Sequence, residues 1–562
     1  MSYSIDNRLR PSWQQLSLRQ QVAQLVVVRA SGHLFDHEIR YPQWEAPTAK
    51  LRHWIEDLGV GGVIFLGGSA CELRERTKQI QSWSKIPLLT AADIEQGVGQ
   101  RFTGATWMPP AMAFGAIARS DLSQACEHAR TMGAITAQEA EAVGLNWLLG
   151  PVVDVNNNPE NPVISLRAFG ETPEVVIPLT EAFIEGTKDY RVLTTAKHFP
   201  GHGDTDTDPH LDLPVIPHSR DRLDKIELAP FQSAIAAGVS AVMTAHIKVT
   251  ALDSDNPATF SPSILTQLLR REMAFDGLIV TDALVMQAIT QHYDPDDACI
   301  MALEAGADII LMPVDPERTI DAICNAVKTG RLTQERIQES VERIWRAKQQ
   351  IFGSTLSEPN KDTSDRPQTM PVLATPKATN FCQAVLSQSL KVHAPSLISN
   401  PVQRKTKEDV ATITHKDNLI LVDNLLQADF LDINTSALTI PQSWGYRPQW
   451  IDSQTPVIKE ISNLQPTLLQ LFIQAVPFQS TSGLVRLAQR WLGALLEAKQ
   501  LQALVLYGSP YVWEQLVPLL PAEIPAVFSY AQIPMAQSIA LEKLLTLGFT
   551  VGEKYFDPKF TT

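Results

Sequence analysis

Residues 192–214 read VLTTAKHFPGHGDTDTDPHLDLP. A strand with one face in water alternates apolar and polar residues, whereas a strand covered on both faces, as in a parallel sheet, reads as a near-continuous apolar run. Val192 to Ala196 form such a run, interrupted only by two threonines, and Lys197 and His198 stand at its end. A Gly/Pro-rich loop follows, with His202, His210, Asp204, Asp206, Asp208 and Asp212. Each such group needs its own partner if it is buried. So much titratable side chain at the end of one buried strand marks a site, and the fold question becomes how many strands end in the same place.

Seven further runs repeat the pattern: VAQLVVVRA from Val22, GVIFLGG from Gly62, IPLLTAADIE from Ile86, LNWLLGPVVDV from Leu145, VSAVMTAHI from Val239, GLIVTDAL from Gly277 and ADIILMP from Ala307. Most gaps between them carry helical periodicity, as in LRERTKQIQSWS after Glu72, SQACEHARTMGAITAQEAEAVG from Ser123 and SPSILTQLLRREM from Ser261, the last opening on a serine cap. Alternation of eight strands with helices predicts a (β/α)8 TIM-type barrel. A doubly wound sheet would carry a Gly-rich phosphate turn after an early strand, and FLGGSACE at 65–72 is a poor match. Residues 353–378 are rich in Pro, Ser, Thr and Asp and read as a linker. Beyond them NLILVDN at 418, TLLQLFIQAV at 467, LQALVLYGSP at 501 and IPAVFSYA at 524 predict a smaller α/β sandwich domain. The expected domains are therefore 1–352, the linker 353–378, and 379–562.

The totals exclude several partners. A chain of 562 residues with 44% hydrophobic content can bury more than one core, and its formal net charge of −14 repels nucleic acid and anionic membrane surfaces. Its five cysteines, Cys71, Cys126, Cys299, Cys324 and Cys382, are scattered, odd in number and without a C-x-x-C pair, which argues against a disulfide framework. MSYSIDNRLRPSWQQLSLRQ has no apolar core of signal-peptide type, and no run reaches the ~18 apolar residues of a membrane span. A cytoplasmic protein is expected.

Active sites of such barrels form at the C-terminal ends of the strands. The residues there are Asp93 and Glu95 after strand 3, Asp154 after strand 4, Lys197 and His198 after strand 5, His246 after strand 6 and Asp282 after strand 7. Asp154, among asparagines and prolines, reads as a turn cap. His246 fits a satisfied barrel histidine and a functional one equally. Asp282, flanked by apolar residues, requires either a capping duty or partners in a pocket, and the pocket is the better reading. In the loop, Asp204 and Asp206 read as aspartates bonding their own backbone. A metal site is offered by the His/Asp content, and acid/base catalysis by Asp208 with His210 two residues on.

The order of DIEQGVGQRF at 93–102, PVVDVNNNPENPVISLRAFG at 151–170, KHFPGHGDTDTDPHLDLP at 197–214 and TDAL at 281–284 resembles the bacterial β-N-acetylglucosaminidases of glycoside hydrolase family 3. The long loop with D-x-H is the specific part of the match, and YGSPY at 507–511 is a weaker likeness to the second domain of some members. The resemblance implies that Asp282 is the nucleophile of a retaining mechanism, His210 the general acid/base and Asp208 its partner. It implies that Asp93, Arg101, Arg167, Lys197 and His198 contact an N-acetylglucosamine ring. No cofactor and no metal are expected, and the partner is an oligosaccharide with terminal β-linked N-acetylglucosamine, from peptidoglycan or chitin. A phosphorylase or a β-glucosidase on the same site is the alternative. Departures from the family pattern are Gln96 for glycine, and Ala168 and Pro209 where serine is frequent.

Overall fold

Eight parallel strands close into a ring in a computed structural model that describes residues 12–205, 213–353, 372–394, 416–425, 428, 430–452, 465–474, 482–547 and 549. They are β1 (Val26–Ala30), β2 (Gly62–Phe65), β3 (Leu89–Ala92), β4 (Trp147–Leu148), β5 (Thr195–Phe199), β6 (Ala241–Thr244), β7 (Leu278–Val280) and β8 (Ile310–Leu311). One sheet runs β8-β1-β2-β3-β4 and a second β7-β6-β5. Parallel bridges from Trp147 to Leu193 and from Val280 to Ile309 join the two. This is the TIM-type barrel expected from the apolar runs, and nearly every strand residue is buried.

At the seam between β4, only two residues long, and β5, the Trp147 indole Nε1 donates to Thr195 Oγ1 at 2.8 Å, adding a side-chain bond to the backbone ones. One run was read too long. Val22 to Gln24 belong to the helix Leu18–Gln24, which opens on a capping box between Ser17 and Gln20. The helix Leu122–Val143 is capped by Asp121 and ends at Gly144, whose φ of 82° is left-handed. A side chain at 144 would also meet Thr77 Oγ1 at 2.3 Å, so glycine is required there on both counts. The serine cap read at Ser261 is present, its Oγ accepting from Ile264 N–H at 3.1 Å.

The chain divides into two compact units, Met1–Thr379 and Asn380–Thr562. In the second, six strands form one sheet: β9 (Lys391–His393), β10 (Lys416–Leu421), β11 (Tyr446–Ile451), β12 (Thr467–Ile473), β13 (Leu501–Gly508) and β14 (Ala526–Ser529). Their order is β9-β14-β13-β12-β10-β11, parallel except for the antiparallel pair of β9 with β14. Helices such as Ser482–Glu497 and Pro510–Leu516 connect them, giving the expected smaller α/β domain. The edge strands β9 and β11 have no apolar run to announce them. β11 alternates in burial and contains Pro448, which an edge tolerates because one side of the backbone needs no ladder bond. Among the described residues no helix is long and apolar enough to cross a membrane.

One buried charge lies outside any site named above. Lys348, on the helix Gln334–Phe352, is 0% exposed, and its Nζ donates to Gln24 Oε1 at 2.7 Å. Burial pushes the ammonium down to about 7. In the unfolded chain it titrates near ~10.4. Between those values the unfolded chain binds a proton that the folded one does not, so stability falls as pH drops through the window. Lys348→Met is therefore expected to melt at a higher temperature than wild type, with the gap widening from pH 10 to pH 7. A variant less stable than wild type throughout that range would show that the ammonium is held charged.

Candidate active site

The ends of β3 and β5 face each other through opposite charges. Lys197, inside β5, has a side chain only 1% exposed, and its Nζ lies 2.7 Å from Asp93 Oδ1 and 2.6 Å from Glu95 Oε1. Glu95 also takes a bidentate bond from Arg167, whose Nε and Nη2 donate to its two oxygens at 2.8 Å each. Burial would raise the Glu95 carboxyl, but Arg167 and Lys197 hold it well below the usual carboxylate range. Burial likewise opposes the charge on Lys197, and Asp93 and Glu95 more than restore it, raising its affinity for the proton. The Arg167 guanidinium is raised in the same way by Glu95 against its own burial.

Arg167 also orders a histidine. Its Nη2 lies 3.2 Å from His198 Nε2, and a guanidinium can only donate, so Nε2 accepts and the ring proton sits on Nδ1. That nitrogen lies 2.8 Å from Asp154 Oδ2. Asp154 is fully buried and also accepts from the backbone N–H groups of His198, at 3.2 Å, and His202, at 2.7 Å. Burial raises its carboxyl, while His198 and His202 bring it below its ordinary value. The turn-cap reading of Asp154 is thus corrected. Its partners lie on β5 and the loop after it, and the local turn is capped by other residues: Asn156 Oδ1 accepts from Ser165 N–H, and Asn161 Oδ1 from Val163 and Ile164 N–H. Peptide bonds 197–198 and 199–200 are cis.

Asp93, Arg167, Lys197 and His198 therefore lie in one cluster, with Arg101 beside it, its Nε donating to the Asp93 carbonyl at 3.2 Å. Asp282 follows β7, and its Oδ1 accepts from Ala283 N–H at 2.7 Å. Asp206, Asp208, Pro209 and His210 lie outside the described residues. His246 is a satisfied barrel histidine, with Nδ1 2.8 Å from Thr259 Oγ1 and Nε2 3.2 Å from the Ala283 carbonyl oxygen. His202 is buried, and burial drives its imidazole down to about 4, so it is neutral at physiological pH. Asp204 departs from its reading as a self-bonding loop aspartate: it pairs with His218 Nε2 at 2.8 Å and with Arg222. Glu95 and Asp154 are the hubs that the sequence undervalued. The available signal was that two cations, Lys197 at a strand end and Arg167 in the turn after β4, require a shared buried anion.

Two of the departures, Gln96 and Ala168, lie among the described residues and are accommodated. Gln96 fills the place of glycine by accepting from Trp107 Nε1 at 3.3 Å, and Ala168 is buried with Val152, Val163 and Ile164. Elsewhere, His33, Glu38 and Glu72 offer ligand atoms within 4.8 Å of one another, after β1 and β2. Both Glu72 oxygens there already accept bonds, from Leu34 N–H, Ser69 Oγ and the His33 ring. The cluster at the β3 and β5 ends is a compact polar floor of alternating charge, with one Asp93 oxygen and the Arg101 guanidinium near its surface. Such groups can grip several vicinal hydroxyls through charge-assisted bonds.

Known proteins are similar to this chain along both units. The profile of the glycosyl hydrolase family 3 N terminal domain matches residues 17–347, and that of the bacterial glycosyl hydrolase family 3 C-terminal domain matches residues 409–546. A beta-hexosaminidase A of Pseudoalteromonas piscicida is 37% identical over 300 residues, 49% of this chain and 50% of that protein. This chain thus spans about half the length of that relative. A beta-hexosaminidase of Nitrosomonas eutropha is 34% identical over 317 residues, 53% of this chain and 90% of its own. Among solved structures, a family 3 β-N-acetylglucosaminidase from Paenibacillus sp. str. FPU-7 aligns over 95% of this chain and 97% of that one, with a TM-score of 0.76 and 28% identity. The barrel profile takes in every member of the charged cluster and runs through more than half of the sequence, and on that ground the chain belongs to glycoside hydrolase family 3.

Proposed function

We propose that the protein is a retaining exo-β-N-acetylglucosaminidase that removes terminal β-linked N-acetylglucosamine from peptidoglycan-derived or chitin-like oligosaccharides. The observation that carries the reading is the Asp93–Lys197–Glu95–Arg167 cluster at the C-terminal ends of the barrel strands, in a chain alignable along nearly its whole length with a β-N-acetylglucosaminidase. Asp93, Arg101, Arg167, Lys197 and His198 hold the sugar ring. The barrel of 1–352 carries the chemistry, 353–378 is a linker and 379–562 the accessory domain. The absence of a cysteine framework fits a cytoplasmic enzyme acting on recycled wall fragments.

The chemistry follows in two steps. The Asp282 carboxylate attacks the anomeric carbon as the glycosidic C–O bond breaks, and His210 gives its proton to the departing oxygen. His210 then takes a proton from water, whose oxygen attacks the same carbon and releases Asp282. Most retaining glycosidases use a second carboxyl group for the proton. A histidine titrating near ~6.5 can give and retake it at neutral pH without the burial that a glutamic acid needs. Asp208 holds the tautomer of His210 and favours its protonated form.

An aryl β-N-acetylglucosaminide is expected to be cleaved faster than the matching β-glucoside, releasing free sugar even in phosphate buffer. A sugar phosphate product would make the enzyme a phosphorylase, and preference for the glucoside a β-glucosidase. Asp282→Ala is expected to lose at least about 10⁴-fold in kcat, and activity near wild type would exclude it as nucleophile. Glu95→Gln leaves Lys197 and Arg167 sharing one buried charge fewer, so kcat/KM is expected to fall by about 10²-fold. Because the Glu95 carboxyl is held well below its usual range, its contribution to stability is present above the unfolded value and survives acidification to well below it. The melting-temperature gap between wild type and Glu95→Gln should therefore close only under strongly acid conditions.

A further inference from the structure

The backbone ladder beyond β4 brings one carboxylate beside one histidine of β5. Val152 bridges Lys197, and Val153 N–H donates to the Lys197 carbonyl oxygen at 2.9 Å, so the next residues on the two segments, Asp154 and His198, stand side by side. Both are buried, at 1% and 5% exposed. The carboxylate oxygens divide their partners. Oδ1 accepts from His202 N–H at 2.7 Å, Oδ2 lies 2.8 Å from His198 Nδ1, and the His198 N–H sits 3.2 Å from each. One oxygen thus serves the backbone and the other the ring.

The far side of the same ring meets Arg167. A guanidinium has five N–H groups, and four of these find acceptors in the protein. Nε and one Nη2 proton go to Glu95 at 2.8 Å each, one Nη1 proton goes to the Val163 carbonyl oxygen at 3.1 Å, and the second Nη2 proton goes to His198 Nε2 at 3.2 Å. The fifth, on Nη1, has no acceptor among the described residues. A proton on His198 Nε2 would set donor against donor and force the guanidinium off its place. Which nitrogen of an imidazole carries the proton is set by the bond that the other nitrogen makes. Here that bond runs to a carboxylate which burial would raise and which His198 and His202 bring below its ordinary value, so an anion faces Nδ1.

We propose that Asp154 is a positioning residue for the sugar-holding cluster: it fixes the ring proton of His198 on Nδ1, and the bare Nε2 then holds the Arg167 guanidinium with one Nη1 N–H left for a ligand. The inference rests on the reading that Arg167 and His198 hold the sugar. It predicts that Asp154→Asn acts through the ring. Asparagine Oδ1 can still accept from the His198 and His202 N–H groups, but its amide puts a donor against Nδ1. The ring proton is then driven to Nε2, where Arg167 already donates.

Two measurements on the full chain test this. The first is the tautomer of His198, read from the ring nitrogen shifts of deuterated protein carrying 15N-histidine and assigned by the signal lost in His198→Gln. The proton is expected on Nδ1 in wild type and on Nε2 in Asp154→Asn, and a wild-type proton on Nε2 would overturn the proposal. This reading of wild type stands even if Asp154→Asn fails to fold. The second is kcat/KM on an aryl β-N-acetylglucosaminide for wild type, Asp154→Asn, His198→Gln and the double variant, with melting temperatures alongside. Asp154→Asn is expected to lose about 10- to 100-fold, and to cost only about 2-fold or less when His198 is already glutamine. An undiminished loss in the His198→Gln background would mean that Asp154 only holds the backbone, and the proposal fails. If His198→Gln is impaired and folded Asp154→Asn is not, the proposal falls while the reading of the cluster stands. If His198→Gln turns over like wild type, the assignment of His198 to the sugar grip falls and the proposal falls with it.

Discussion

A lysine ammonium buried at the end of a barrel strand can persist only if anions come to it, and the organisation of the barrel mouth depends on that constraint. Lys197 is reached by Asp93 and Glu95 from the loop after β3, and Glu95 is shared with Arg167 from the turn after β4. Removing any one member would leave its partners charged in a poorly solvated place, which is far costlier than the pair is stabilising. Two loops and a third strand are thereby held in one arrangement.

The same chain of charge runs outward. Arg167 turns the lone pair of His198 Nε2 toward itself, which directs the Nδ1 proton to Asp154. Asp154 in turn holds the backbone of His198 and His202. Backbone N–H groups thus converge on one buried carboxylate, with Asn161 bonding the adjacent carbonyls. His246, in contrast, bonds Thr259 and the Ala283 carbonyl.

The architecture was legible because strands covered on both faces have little choice of residue. The apolar runs gave the barrel strands and the four central strands of the second sheet, and the polar residues ending them gave the mouth. The errors fell where that rule weakens. Val22 and Ala23 are as apolar as a strand, yet the capping box at Ser17 claims them, with Gln24, for a helix. β9 and β11 lie at edges, where half the surface faces water and the period is faint.

Residue identity by itself determined which chemistry could be present: carboxylates, cations and histidines at strand ends, two residues apart in D-x-H, in an otherwise apolar scaffold. Only the tertiary structure decided who is paired with whom. Asp154 meets His198 across 44 residues, Glu95 meets Arg167 across 72, and Lys197 meets Asp93 across 104. Asp204, which has its own turn within reach, bonds Arg222 across 18 residues. Ion pairs between strands are set by the curvature and register of a closed sheet, and the strength of each depends on how completely water is removed. Neither quantity is written in the order of residues along the chain.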